Sequence, residues 1–157
     1  MPSCMPTVLY KRATFVTHLP TGHLYTHSHC WMSPFSKGEW RVGYTKFALR
    51  MLGELVDVQF DLKPEAPVQA GDVVGTIEGF KAISDIFCVG NGKFVTGNPG
   101  LASGLENITE KPYDEGWLYQ IDGKLDSRAM DVDGYRAFLD MTIDRILEKQ
   151  RQEESTQ

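Results

Sequence analysis

The sequence predicts a small, mainly β protein, a barrel or sandwich, with a short internal helix and an amphipathic C-terminal helix. Three observations predict it. Short stretches of strand character recur between Leu24 and Val89, Gly- or Pro-rich turns separate them, and a long helical spacing of apolar residues begins only after Asp131. The chain has 157 residues, 41% hydrophobic and 24% charged, which is one domain's worth and enough to bury a core.

Taken in order, residues 1–20, with Pro2, Pro6 and Pro20, read as irregular. Leu24 to Trp31 reads as a strand, Ser33 to Gly38 as a loop, and Trp40 to Tyr44 as a second strand. Thr45 is placed to cap a helix over Lys46 to Leu52, stopped at Gly53, with Phe47, Ala48, Met51 and Leu52 facing inward. Leu55 to Phe60 returns to strand character, broken by Lys63-Pro64-Glu65-Ala66-Pro67. After a turn at Gln69 to Asp72, strands are expected over Val73 to Phe80 and Ile83 to Val89, and Gly90-Asn91-Gly92-Lys93 carries a hairpin signal. Asp131 or Asp133 caps a helix in which Tyr135, Phe138, Leu139, Thr142, Ile143, Ile146 and Leu147 form one stripe. The domain reading is a single unit over 1–157: a β core over 24–121, a helix over 131–150 and a frayed tail over 151–157.

The net charge of −5 argues against a nucleic-acid partner and suits docking on basic patches of other proteins. No apolar run approaches a membrane span. The N-terminal segment has no acidic residue before Glu39, yet it has few arginines and no secretory apolar stretch, so the chain is read as cytoplasmic. Cys4, Cys30 and Cys88 are odd in number and widely spaced, which does not fit a disulfide framework.

There is no phosphate-binding Gly-rich loop and no nucleophile elbow. His23, His27, His29 and Cys30 cluster, with His27 and His29 on one face of the expected strand. No Cys-x-x-Cys pair completes a tetrahedral set, so they are read as packing and hydrogen-bonding residues and no metal is expected. Lys81 stands out at the junction of two expected strands in Thr76-Ile77-Glu78-Gly79-Phe80-Lys81-Ala82-Ile83-Ser84-Asp85, as the one basic residue there. A lysine at a hairpin tip keeps a turn solvated, or it is a chemical handle.

That segment resembles the lipoyl-attachment segment of the glycine cleavage system H protein family. Tyr25-Thr26-His27-Ser28-His29-Cys30-Trp31 is similar to the family's opening motif. Val42-Gly43-Tyr44-Thr45 with Leu52-Gly53-Glu54 follows its next block, and Pro112-Tyr113-Asp114-Glu115-Gly116-Trp117-Leu118 matches a third. The resemblance runs in order from about residue 24 to residue 121. It implies a flattened lipoyl-type barrel of two small sheets and a non-catalytic carrier with lipoic acid in amide linkage to Lys81. Glu78, Gly79, Ala82 and Asp85 would then be recognised by a lipoate ligase or lipoyl transferase.

Ser28, Cys30, Met51 and Asp85 stand where the resemblance places a nest for the arm and its cargo. Cys30 replaces a family glutamate, and Met51 a family histidine, that would stabilise an aminomethyl cation. These departures resemble the lipoate-binding proteins of sulfur-oxidising prokaryotes. They imply a sulfur species as cargo, with a heterodisulfide-reductase-like complex and sulfur-transfer proteins as partners. The alternative is a glycine cleavage H protein, passing an aminomethyl group from glycine decarboxylase to aminomethyltransferase, with dihydrolipoyl dehydrogenase as the third partner. An unmodified binding domain and a lipoate-relay protein are further readings.

Overall fold

The computed structural model describes residues 5–155, in which short strands pair into three antiparallel sheets. The first is a hairpin of β1 (Thr7–Arg12) and β2 (Phe15–Pro20). It corrects the expectation of an irregular N-terminus. Phe15, Thr17 and Leu19 turn inward while Val16 and His18 face solvent, and Pro20 ends the strand without interrupting it.

The second sheet has six strands, in the order β3 (Leu24–Tyr25), β4 (Cys30–Ser36), β5 (Glu39–Tyr44), β11 (Tyr119–Leu125), β10 (Gly90–Gly97) and β7 (Ala66–Val68). The third is β6 (Leu55–Phe60), β8 (Val73–Gly79) and β9 (Ile83–Phe87). These two share one apolar core, with Met32, Val42, Phe94 and Ile121 from the larger sheet and Val74, Ile77 and Ile86 from the smaller. The arrangement is mainly β but no closed barrel forms, and there is a third sheet where two were expected.

One expected strand and one expected turn change shape. Leu24 to Trp31 is split by a turn, because His29 adopts φ 66°, so His27 and His29 share no strand face. Gly90 to Lys93 is no hairpin tip but the start of β10, paired from Gly90↔Leu125 to Lys93↔Asp122 on one side. On its other side Gly92 and Lys93 pair with Val68 and Pro67. Neighbours on both edges override a local turn signal, and the Asn91 side chain accepts from the Ala70 N–H at 3.0 Å. The partner of β10, strand β11, was not foreseen.

Helix α1 (Lys46–Leu52) forms where expected. The Thr45 hydroxyl accepts from the Ala48 N–H, and Gly53 ends the helix at φ 78°. Phe47 and Leu52 are buried, whereas Met51 is 51% exposed, so its expected inward place is corrected. A short α2 (Glu106–Glu110) and a long α3 (Val132–Ser155) follow. Asp131 accepts from the Gly134 N–H at 2.8 Å, and the helix continues through residues 151–155, where a frayed tail was expected.

α3 packs on the N-terminal hairpin in a second core of Tyr10, Phe15, Tyr25, Phe47, Tyr135 and Leu139. Tyr25 and Tyr135 stack with ring centroids 4.7 Å apart. The Arg12 guanidinium bonds both carboxylate oxygens of Asp144, and the Tyr10 hydroxyl donates to Asp140 at 2.7 Å. The hairpin and α3 thereby clamp α1. Among the described residues no helix is long and apolar enough to cross a membrane.

Candidate functional site

Strands β8 and β9 pair from Val73↔Phe87 to Glu78↔Ile83, and the Gly79 N–H donates to the Ala82 carbonyl at 2.9 Å. Phe80 and Lys81 are left at the bend, both exposed. The bend is braced from below. The Phe80 N–H donates to the Glu54 carbonyl and the Lys81 N–H to the Leu52 carbonyl, each at 2.9 Å. Two glycines allow this approach. A Cβ on Gly79 would lie 2.1 Å from the Leu52 oxygen, and one on Gly53 would lie 2.9 Å from Cγ of Lys81.

The Lys81 side chain therefore rises across the end of α1, and its Nζ donates to the Arg50 carbonyl at 3.3 Å. Among the described residues no carboxylate pairs with it. Acylating this amine would break one exposed hydrogen bond and no ion pair, so the residue fits a covalently attached acyl group.

Cross-strand register puts Ile83, Glu78 and Asp57 in one row on the outer face of the small sheet. Asp85, Thr76 and Gln59 form the next row. Phe80, at 76%, and Ile83, at 68%, are the most exposed large apolar side chains described. On β9, Ile83, Asp85 and Phe87 share the outward face, since period two applies. Phe87 then borders a groove of about 570 Å³ lined also by Thr26, His27, Ser28, Cys88 and Asp126.

Ser28 lies beside Cys30, Asp85 is tied to that strand pair only through its backbone carbonyl, and Met51 faces solvent. The Ser28 hydroxyl lies 3.8 Å from the Cys30 sulfur; Cys30 pairs with Tyr44 across the strands, and the Tyr44 hydroxyl donates to the Asp85 carbonyl at 3.2 Å. Ser28 and Asp85 are exposed, but Cys30 is only 1% exposed and burial pushes its thiol up to about 12. The Cys30 thiol is therefore sealed and protonated while Met51 faces solvent, so the two side chains do not share one pocket. Cys88 is also buried, with its thiol pushed up, and Cys4 lies outside the described residues.

His23 and His29 serve structure. The buried His23 ring packs 4.8 Å from Trp31, with Nε2 bonded to the Tyr113 carbonyl. His29 Nδ1 lies 2.9 Å from the Tyr135 hydroxyl, which lies 2.8 Å from the Thr45 hydroxyl that caps α1. Burial pulls His29 down to about 4. Among the described residues no group of three His, Cys, Asp or Glu side chains converges on a metal position. Sequence reasoning missed Tyr44 and Tyr135, whose roles depend on contacts 41 and 90 residues away along the chain.

Comparison with known proteins agrees with this geometry. The family model described as glycine cleavage H-protein matches residues 23–138. A glycine cleavage system H protein from Corynebacterium jeikeium is 37% identical over 127 residues, covering 78% of this chain and 98% of that protein. One from Kocuria rhizophila is 36% identical over 131 residues, covering 80% and 100%. The crystal structure of a glycine cleavage system H protein from Mycobacterium marinum superposes with a TM-score of 0.68 at 29% identity, covering 76% and 97%. The matched residues leave out the β1–β2 hairpin and most of α3.

Proposed function

Because the chain belongs to the glycine cleavage H-protein family, whose members are non-catalytic carriers with lipoic acid bound covalently to a lysine, we propose that Lys81 is the attachment residue. We propose further that the cargo is the aminomethyl group of glycine cleavage. The observation that carries the reading is the braced bend: an exposed amine without a carboxylate partner among the described residues, with the Phe80 and Lys81 N–H groups fixed to the Glu54 and Leu52 carbonyls.

Attached there, the lipoyl group supplies a redox-active dithiol that carries a one-carbon fragment between enzymes. The chain's own residues set where that chemistry happens. The bend fixes the root of the arm, so that once a partner docks each transfer is intramolecular. The outward face of β9, through Ile83, Asp85 and Phe87, leads from Lys81 to the groove beside Ser28. The free Asp85 carboxylate on this face suits a cationic amine better than a neutral sulfur species. The sulfur cargo loses its motive once Cys30 is sealed in the core.

The family works with glycine decarboxylase, aminomethyltransferase and dihydrolipoyl dehydrogenase. Reconstitution with glycine decarboxylase and glycine tests the cargo: lipoylated protein gains an aminomethyl adduct by intact mass, and Lys81→Arg protein gains none. A lipoylated protein that stays unloaded contradicts the reading.

A further inference from the structure

We infer that Phe80 and Ile83 form the apolar centre of a docking surface around Lys81, for a partner whose matching cleft is rimmed with Lys and Arg. The inference rests on the Lys81 reading and deepens it. An enzyme that works at the end of a tethered arm must bring the mouth of its site to the arm's root. Whatever surrounds Lys81 is therefore contact surface. There the protein leaves its two most exposed large apolar side chains, on a bend held rigid by the Leu52 and Glu54 carbonyls. Rigid apolar anchors lose little entropy on binding.

The charges around these anchors choose the occupant. Asp57 and Glu78 sit directly opposite each other across β6 and β8, an arrangement that destabilises a sheet. Neither is in an ion pair among the described residues, and Glu54 and Asp85 are not either. Beyond Glu54 the acidic side continues in a shallow groove lined with Glu106 and Glu110. Arg50, in the last turn of α1, is turned to the N-terminal hairpin, where it bonds Thr14 and lies over the Phe15 ring. Acylation removes the charge of Lys81 and leaves these carboxylates as the charged groups named around the anchors. A second copy of this chain would set carboxylates against carboxylates, so the surface selects a basic-rimmed partner and repels its own kind.

The probe is glycine decarboxylase, titrated with lipoylated wild type, Phe80→Ser/Ile83→Ser, Asp57→Asn/Glu78→Gln and, as control, Leu9→Ser on exposed β1. All four substituted anchor and rim residues are at the surface or partly so, and thermal melts confirm folding. The Phe80/Ile83 pair is expected to weaken binding about tenfold or more. The Asp57/Glu78 pair is expected to reduce the salt dependence seen between low and high ionic strength, and Leu9→Ser to bind as wild type. Binding that ignores both double substitutions, or that ignores salt, overturns the surface even in a lipoylated chain. A wild type that a lipoate ligase leaves unmodified at Lys81, but that binds and loses binding with Phe80 and Ile83, supports the surface and overturns the Lys81 reading, so the two failures are distinct.

Discussion

The stem of Lys81 lies across Gly53, so close that a Cβ added to the glycine would sit 2.9 Å from Cγ and 3.3 Å from the backbone nitrogen of Lys81. Helix stop and proposed attachment residue are thus one packing unit. Gly53 also holds φ 78° with ψ −165°, a region almost reserved to glycine, which a side-chain-bearing residue adopts only at a cost of about 1–3 kcal/mol. Gly53→Ala is expected to lower stability by about that much and to slow lipoylation of Lys81 by displacing the bend. Urea denaturation reads the first effect and time-resolved intact mass the second. Wild-type kinetics of modification would separate Gly53 from the site.

Burial fixes the behaviour of the thiols. Cys30 and Cys88 are both buried with thiols pushed above their ordinary values. In a Cys4→Ala background the folded protein is expected to give no fast reaction with a thiol-specific disulfide reagent at pH 8, and two equivalents after unfolding in guanidinium. One fast equivalent lost in Cys30→Ala would show the Cys30 thiol open to solvent.

His29 makes stability depend on pH. Its folded value, about 4, lies below the unfolded 6.5, so the unfolded chain binds more protons between these values and stability falls as pH drops through that window. From pH 7.5 to pH 5.0 the loss assigned to His29 is about 2 kcal/mol, to order of magnitude. The measurement is the difference in that loss between wild type and His29→Asn, a replacement that tolerates the positive φ. Equal losses in both proteins would clear His29 of the effect.

Tyr135 links His29 to the Thr45 cap, 106 and 90 residues away. Tyr135→Phe keeps the ring stacked on Tyr25 and leaves two buried polar partners short of a bond. The expected cost is about 1–3 kcal/mol by denaturant midpoint at unchanged m-value. A neutral result would show that water replaces the hydroxyl.

Much of this could be read along the chain where the cause is local. The Thr45 cap, the Gly53 stop and the Asp131 cap rest on hydrogen bonds within four residues, and all three were legible. The exposed bend at Lys81 was legible for the same reason. What was missed depends on distant partners. Gly90 to Lys93 is strand because β7 and β11 lie on either side, and Phe15 to Pro20 is strand because α3 covers it. Met51 has the right spacing for an inward face but stands beyond the packing of α1, while Cys30 reads as a site residue until Tyr44 and the core close over it. The family motif located Lys81, and the structure supplies its bracing.

The central claim is that Lys81 takes the lipoyl group. Incubate the purified chain with lipoate, ATP and a lipoate ligase, then measure intact mass and map the modified peptide. The account predicts one added lipoyl group, on the peptide containing Lys81, and none on Lys81→Arg. Full modification of Lys81→Arg, or a wild type that stays unmodified beside a lipoylated family relative, would contradict it.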